Sequence, residues 1–432
     1  MASFPRLLLV RQNFPDRRIA DIPGEVQSQL SSAGFASRVK PGASVAIGVG
    51  SRGIANLAAI VRAVVDYWKG AGARPFIFPS MGSHGAATAE GQAGVLAHFG
   101  IHEAAMGCPL VSQLEVVSLG KTPEGIETFM DRAAFESDGV MLVGRVKWHT
   151  DFAGKIESGL FKMMAIGLGK LAGAQRYHAY IYRGFGYEPL FRSVGRQVLK
   201  SGKILGGLAI LEDAYHHTAK LDAVAAQIME QREEENLALV KSWMGHIPVS
   251  ELDILILDEM GKDISGTGCD SKVVNRGSAG DYNPWPDTVK IRRLFVRDLS
   301  ELTYNSAIGI GMADVTTDRL VSRIDWDPTL VNALTANNPG SIQTPIHFPT
   351  DRECLERIWP TTGRFNPLEL EIGWLHNTLE LHLMALSETL RAQIEANPAL
   401  EVIGGPAEIR FDQEGNLEDF RKILGAGTVV GA

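Results

Sequence analysis

Apolar residues along this chain fall into two patterns that alternate. Short unbroken runs at residues 44–48, 75–79, 139–143 and 204–211, bounded by glycine, proline or charged residues, read as buried strands. After the first of them, Ile54, Leu57, Val61, Val64, Val65 and Trp68 recur at helical spacing, and residues 88–99 form a second helical pattern. Strands alternating with helices predict an α/β fold, a doubly wound and mostly parallel sheet with helices on both faces. A charged stretch, 220–243, reads as a helix that closes this half; Pro248 follows, and 253–257 opens a new apolar strand. The expected domains are therefore 1–247 and a second α/β domain, 248–432. The second half holds glycine- and proline-rich stretches at 261–268 and 277–286, a long helical pattern at 368–397 and a hairpin pattern at 402–411.

Composition adds limits. A chain of 432 residues, 45% hydrophobic and 21% charged, can bury two sizeable cores. Its 46 glycines follow no triplet period, which points to tight turns and close backbone approaches. A net charge of −8 weighs against nucleic acid or an anionic membrane as partner. There is neither a signal-peptide pattern at the start nor an apolar run of about 18 residues, so the expected location is cytoplasmic. Cys108, Cys269 and Cys354 are too scattered for a disulfide framework or a cysteine metal site.

The first strand runs into Gly48-Val49-Gly50-Ser51-Arg52-Gly53, which fits G-x-G-x-x-G. The next strand ends Phe78-Pro79-Ser80 without the acidic residue that a ribose diol needs, so a dinucleotide site is not expected. Arg52, with Ser51 beside it, suits a phosphate or carboxylate instead; a tight turn with a solvated arginine is the plainer alternative.

Two histidines also follow strands. His84 lies in Ser80-Met81-Gly82-Ser83-His84-Gly85, and His149 in Arg145-Val146-Lys147-Trp148-His149. Ligands collect at the carboxyl ends of strands in such sheets. Two imidazoles there suit proton abstraction from, or return to, opposite faces of one carbon. Downstream, Lys162 and His178 stand sixteen residues apart.

In these residues the chain resembles the nickel-pincer nucleotide-dependent lactate racemase family, over roughly residues 40–180. Gly82-Ser83-His84 looks like its first catalytic element and His149 its second. Lys162 looks like the lysine that tethers the cofactor, His178 like its nickel ligand, and Arg52 like the arginine of the N-terminal anion turn. The resemblance implies a cofactor-binding and catalytic first domain, a substrate-side second domain, and an active site in the cleft between them. It implies racemisation or epimerisation of a 2-hydroxy acid by proton-coupled hydride transfer to and from a tethered nickel-pincer nucleotide. Separate cofactor-synthesis proteins would be needed for maturation, and a homo-oligomer is compatible with the sequence.

The chain also departs from the family. The family's G-F-S-G-G-x-K is replaced by Phe152-Ala153-Gly154-Lys155-Ile156-Glu157-Ser158-Gly159-Leu160-Phe161-Lys162, which leaves Lys155 as a rival tether, an anion ligand, or a partner of Glu157 or Asp151. In the second domain the family's substrate-binding glutamine is absent. Lys262, Asp270 and Lys272 are the nearest substrate-side candidates, so a 2-hydroxy acid other than, or in addition to, lactate is expected. The stretch 309–317 and Trp285 are further candidates for a site loop and a pocket wall. Two alternatives stay open: a metal-independent lyase or dehydratase using the histidine pair, and a non-catalytic binder of an anionic metabolite. His98 with His102, and His216 with His217, read as local hydrogen-bonders, and Glu233-Glu234-Glu235 as a solvated helix face.

Overall fold

The computed structural model describes residues 3–51 and 53–425. The chain divides into two compact units, Asp16–Met244 and a unit made of Met1–Pro15 with Gly245–Ala432. The first strand, Leu7–Gln12 (β1), belongs to the latter.

The Asp16–Met244 unit contains Ser44–Val49 (β2), Arg74–Pro79 (β3), Val116–Lys121 (β4), Glu127–Asp131 (β5), Gly139–Arg145 (β6), Ile204–Glu212 (β7) and Thr218–Ala225 (β8). Five of these form one sheet in the order β3-β2-β6-β7-β8, while β4 and β5 pair separately. β2, β3, β6 and β7 run parallel, and β8 is antiparallel to β7. Successive residues of a strand point to opposite faces. Val45, Ile47 and Val49 accordingly enter one core, with the helices Ile22–Ser32 and Leu57–Gly70. Ala46 enters the other, with Lys170–Tyr180, Tyr187–Lys200 and Met229–Lys241. Coverage on both faces explains why these strands read as unbroken apolar runs. The fold is α/β, as the alternation predicted.

The charged stretch 220–243 is not one helix. Its start is the edge strand β8, and the helix begins only at Met229. An edge strand tolerates charge when partners are at hand: Lys220 donates to Asn236, and Asp222 accepts from Arg232 and Asn236.

The other unit adds Glu251–Met260 (β9), Lys290–Leu299 (β10), Val315–Thr317 (β11), Ile346–Phe348 (β12), Ile372–Leu375 (β13), Leu383–Ser387 (β14) and Leu400–Ala407 (β15). They form one sheet in the order β12-β11-β10-β9-β13-β14-β1-β15. The strands β9 to β13 are parallel, whereas β14, β1 and β15 are antiparallel to their neighbours.

Three expectations for this half differ from the structure. Residues 368–397 hold β13, β14 and the short helix Arg391–Ala396 instead of one long helix. Their dense apolar residues satisfy a helical period, but Ile372 and Trp374 are buried strand positions facing β9. Residues 402–411 make no hairpin, because β15 pairs with β1. Residues 1–15, placed by sequence with the first domain, lie in this unit for the same reason.

Candidate active site

Three adjacent parallel strands present Ser51, His84 and His149 just beyond their carboxyl ends. From β2 the chain crosses to β3 on one side and later returns to β6 on the other. That reversal makes these strand ends the crevice in which open α/β sheets bind ligands.

The Ser51 hydroxyl pairs with Nδ1 of His84. Ser51, a candidate for an anion from the sequence, thus also has an imidazole as its partner. Gly82 lets the His84 loop press on the elements below it, since a Cβ there would fall 2.9 Å from Ala174 and 3.0 Å from Ile166. Ala174 belongs to the helix Lys170–Tyr180, one turn before His178. Arg52 lies outside the described residues.

His149 is held from several sides. Its backbone N–H donates to the carboxylate of Glu157 at 2.6 Å. Glu157 is fully buried, also accepts from the Gly154 N–H at 2.9 Å, and pairs with the Lys241 ammonium. The His149 ring lies 4.8 Å from Phe152 and 5.2 Å from Tyr187, and those two rings stack at 4.7 Å with an interplanar angle of 2°. Burial, reinforced by the charge of Asp151, pushes the Tyr187 phenol up, so it stays protonated at neutral pH. The Asp151 N–H donates to Nδ1 of His149 at 3.1 Å, and the Asp151 carboxylate is 3.6 Å from the same nitrogen. A ring nitrogen that accepts carries a lone pair, so the neutral ring has its hydrogen on Nε2.

Lys162 and His178 are electrostatic neighbours. Burial first, and the Lys162 charge second, push the His178 imidazole below its ordinary value, against smaller opposing contributions from the Ala174 backbone and Asp151. A neutral imidazole nitrogen is one that can serve as a metal ligand. The Lys162 ammonium also reaches the Ser158 hydroxyl at 3.4 Å. Lys155 differs: its side chain is exposed, while its backbone N–H donates to Glu188. Of its two suggested carboxylate partners, Glu157 pairs with Lys241.

Glu233 is no solvated residue. It is buried and accepts the backbone N–H groups of Leu160 and Phe161 at 3.1 and 3.2 Å, just before Lys162. Burial pushes its carboxyl up to about 7. Glu234, by contrast, pairs with Arg192, and Glu235 with Arg232. His102 accepts the Ala105 N–H as a helix cap. His217 lies 3.6 Å from Asp213 and 3.7 Å from Asp16.

In the other unit, Lys262, Asp270 and Lys272 occupy the loop after β9. Lys262 donates to Asn332. Asp270 and Lys272 are buried; the Asp270 carboxylate accepts the Lys272 N–H at 3.1 Å, and the Lys272 ammonium sits 5.1 Å above the Trp285 ring. The stretch 309–317 is tied down by Asp314, which pairs with buried Arg276 and accepts the Leu294 N–H.

Sequence reading missed Glu157, Phe152 and Tyr187 as the surroundings of His149. Glu157 stood in the quoted motif, but nothing along the chain marks Tyr187, which arrives from a distant helix. No protein-family model and no curated protein matches the chain. Among solved structures, the lactate racemase apoprotein from Thermoanaerobacterium thermosaccharolyticum is similar with a TM-score of 0.47 at 13% identity, covering 91% of this chain and 96% of that one. No helix among the described residues is long and apolar enough to cross a membrane.

Proposed function

We propose that this chain is a racemase or epimerase of a 2-hydroxy acid and works with a nickel-pincer nucleotide attached at Lys162. The observation that carries this reading is that Lys162, which reaches the Ser158 hydroxyl, lies near enough to the buried His178 imidazole for its charge to act on it, burial and that charge together holding the imidazole below its ordinary value. When bound, the nucleotide would supply a nickel centre able to take up and return the two electrons and hydrogen of the substrate's C2–H bond. Lys162 is the attachment point and His178 the nitrogen ligand; Lys155 is the weaker candidate because its amine is exposed. Ser51 and Arg52 remain candidates for the nucleotide phosphate.

The two catalytic histidines are not equivalent. His149, whose Nδ1 accepts from Asp151, offers an Nε2–H and acts as donor to the substrate oxygen. His84 can offer a bare Nε2, because the Ser51 hydroxyl on its Nδ1 can accept as well as donate. His84 then removes the hydroxyl proton, and His149 serves the opposite enantiomer after exchanging its proton. Lys262, Asp270 and Lys272, on the loop after β9, stay as the substrate-side candidates.

The test is intact mass and metal analysis of protein co-expressed with the cofactor-synthesis proteins. The expected result is a covalent adduct and about one nickel per chain, both lost in Lys162→Ala and kept in Lys155→Ala. An unmodified, nickel-free chain would overturn the reading and favour the metal-independent lyase.

A further inference from the structure

The loop that carries His84 is held by a buried lysine from another element. Lys170 is fully buried, adopts a left-handed backbone conformation (φ 52°) and opens the helix that bears His178. Its ammonium donates to the carbonyl of Pro79, the last residue of β3, at 2.8 Å, and to Oε1 of Gln92, also fully buried. The Gln92 amide nitrogen donates in turn to the Gly82 carbonyl at 2.9 Å. The segment from Pro79 to Gly82 is thus gripped at both ends, two residues before His84.

Packing alone does not account for this lysine. An ammonium out of water is costly, and the left-handed region disfavours a residue with a side chain. Asp131 offsets only part of that cost: its Oδ2 is 3.8 Å from the ammonium and makes no hydrogen bond. A methionine would fill the same volume without the charge. What the ammonium adds is a set of directed donors, aimed at the base of the His84 loop.

We propose that Lys170, acting through Gln92, is a positioning residue that sets the His84 imidazole against Ser51 and couples that loop to the helix of His178. This rests on the reading of His84 as a proton-transfer group. Nitrogen-15 histidine spectra of the cofactor-free chain test it, with the His84 signals assigned by His84→Asn. Gln92→Glu still accepts from Lys170 but has no N–H for Gly82; Lys170→Met removes the bonds to Pro79 and Gln92. In both variants the His84 ring signals are expected to move towards those of a free imidazole, while those of His149 and His376 stay in place. Unchanged His84 signals in folded Gln92→Glu would overturn the proposal. So would equal movement of all three histidines, which reports general loosening. Should Lys170→Met not fold, the near-isosteric Gln92→Glu carries the test alone. The readout involves neither nickel nor turnover, so a failed adduct experiment and a failed positioning experiment remain distinct results.

Discussion

Glu157 accepts the backbone N–H of His149 at 2.6 Å, across a loop of eight residues. The same carboxylate accepts from Gly154 and pairs with Lys241. One buried group therefore closes the loop that leaves β6 and fixes the backbone from which the His149 ring projects.

Glu157→Gln keeps one acceptor but removes the charge facing Lys241. With Lys241 about one-third exposed, solvent screens part of the pair. The expected loss is roughly 1–3 kcal/mol of stability, read as a lower urea midpoint. A midpoint equal to that of the parent would show that the carboxylate charge is not needed.

His84→Asn and His149→Asn should each lower turnover of a 2-hydroxy acid by roughly 10²- to 10⁴-fold, the usual contribution of a positioned acid or base. With the two rings in the roles proposed for them, the losses should differ between the two enantiomers. Initial rates measured from each pure enantiomer check this, and equal losses in both directions for both variants would contradict the division of roles.

Glu233 gives stability a pH dependence. The folded chain holds its proton up to about pH 7, whereas an ordinary glutamate releases it near 4.5. Between these values the folded state binds the extra proton. The stabilisation is complete below the lower value and is lost as pH rises through the upper one, on the order of 3 kcal/mol. Glu233→Gln should flatten this part of the curve, as urea unfolding at about pH 5 and about pH 7.5 would show.

His376 should behave as a cation well above neutrality. Hydrogen bonds to Asp258 and Glu259, which outweigh its burial, push its imidazole up to about 10 from an ordinary 6.5. Its contribution to stability is complete below 6.5 and lost as pH rises through about 10. A proton-NMR titration should find the ring still protonated at about pH 8; a midpoint near 6.5 would refute the assignment.

Much of the Asp16–Met244 unit was legible in the chain. Strands covered on both faces leave continuous apolar runs, and β2, β3, β6 and β7 all did. The edge strand β8 was not legible, since its charges find partners only in the folded helix beside it. β13 and β14 were hidden in a stretch so apolar that a helical period fitted as well. For the candidate site, position after a strand pointed to His84 and His149, and the family resemblance to Lys162 and His178. Glu157 could be read as a residue but not as an anchor. Lys170, Gln92 and Tyr187 had no local signal at all, because their meaning lies in contacts between elements far apart in sequence.

The pairing of β1 sets an order of events during synthesis. Leu7 meets Ser387 on one side and Ala407 on the other, so β1 waits for strands made much later in the chain. At about 5–20 residues per second, that interval is on the order of half a minute, during which Leu7, Leu8, Leu9 and Val10 have no sheet to join. A nascent chain thus carries an unpaired apolar strand until β14 and β15 have been made, and shielding that strand is a task for the cell before the protein can do it alone.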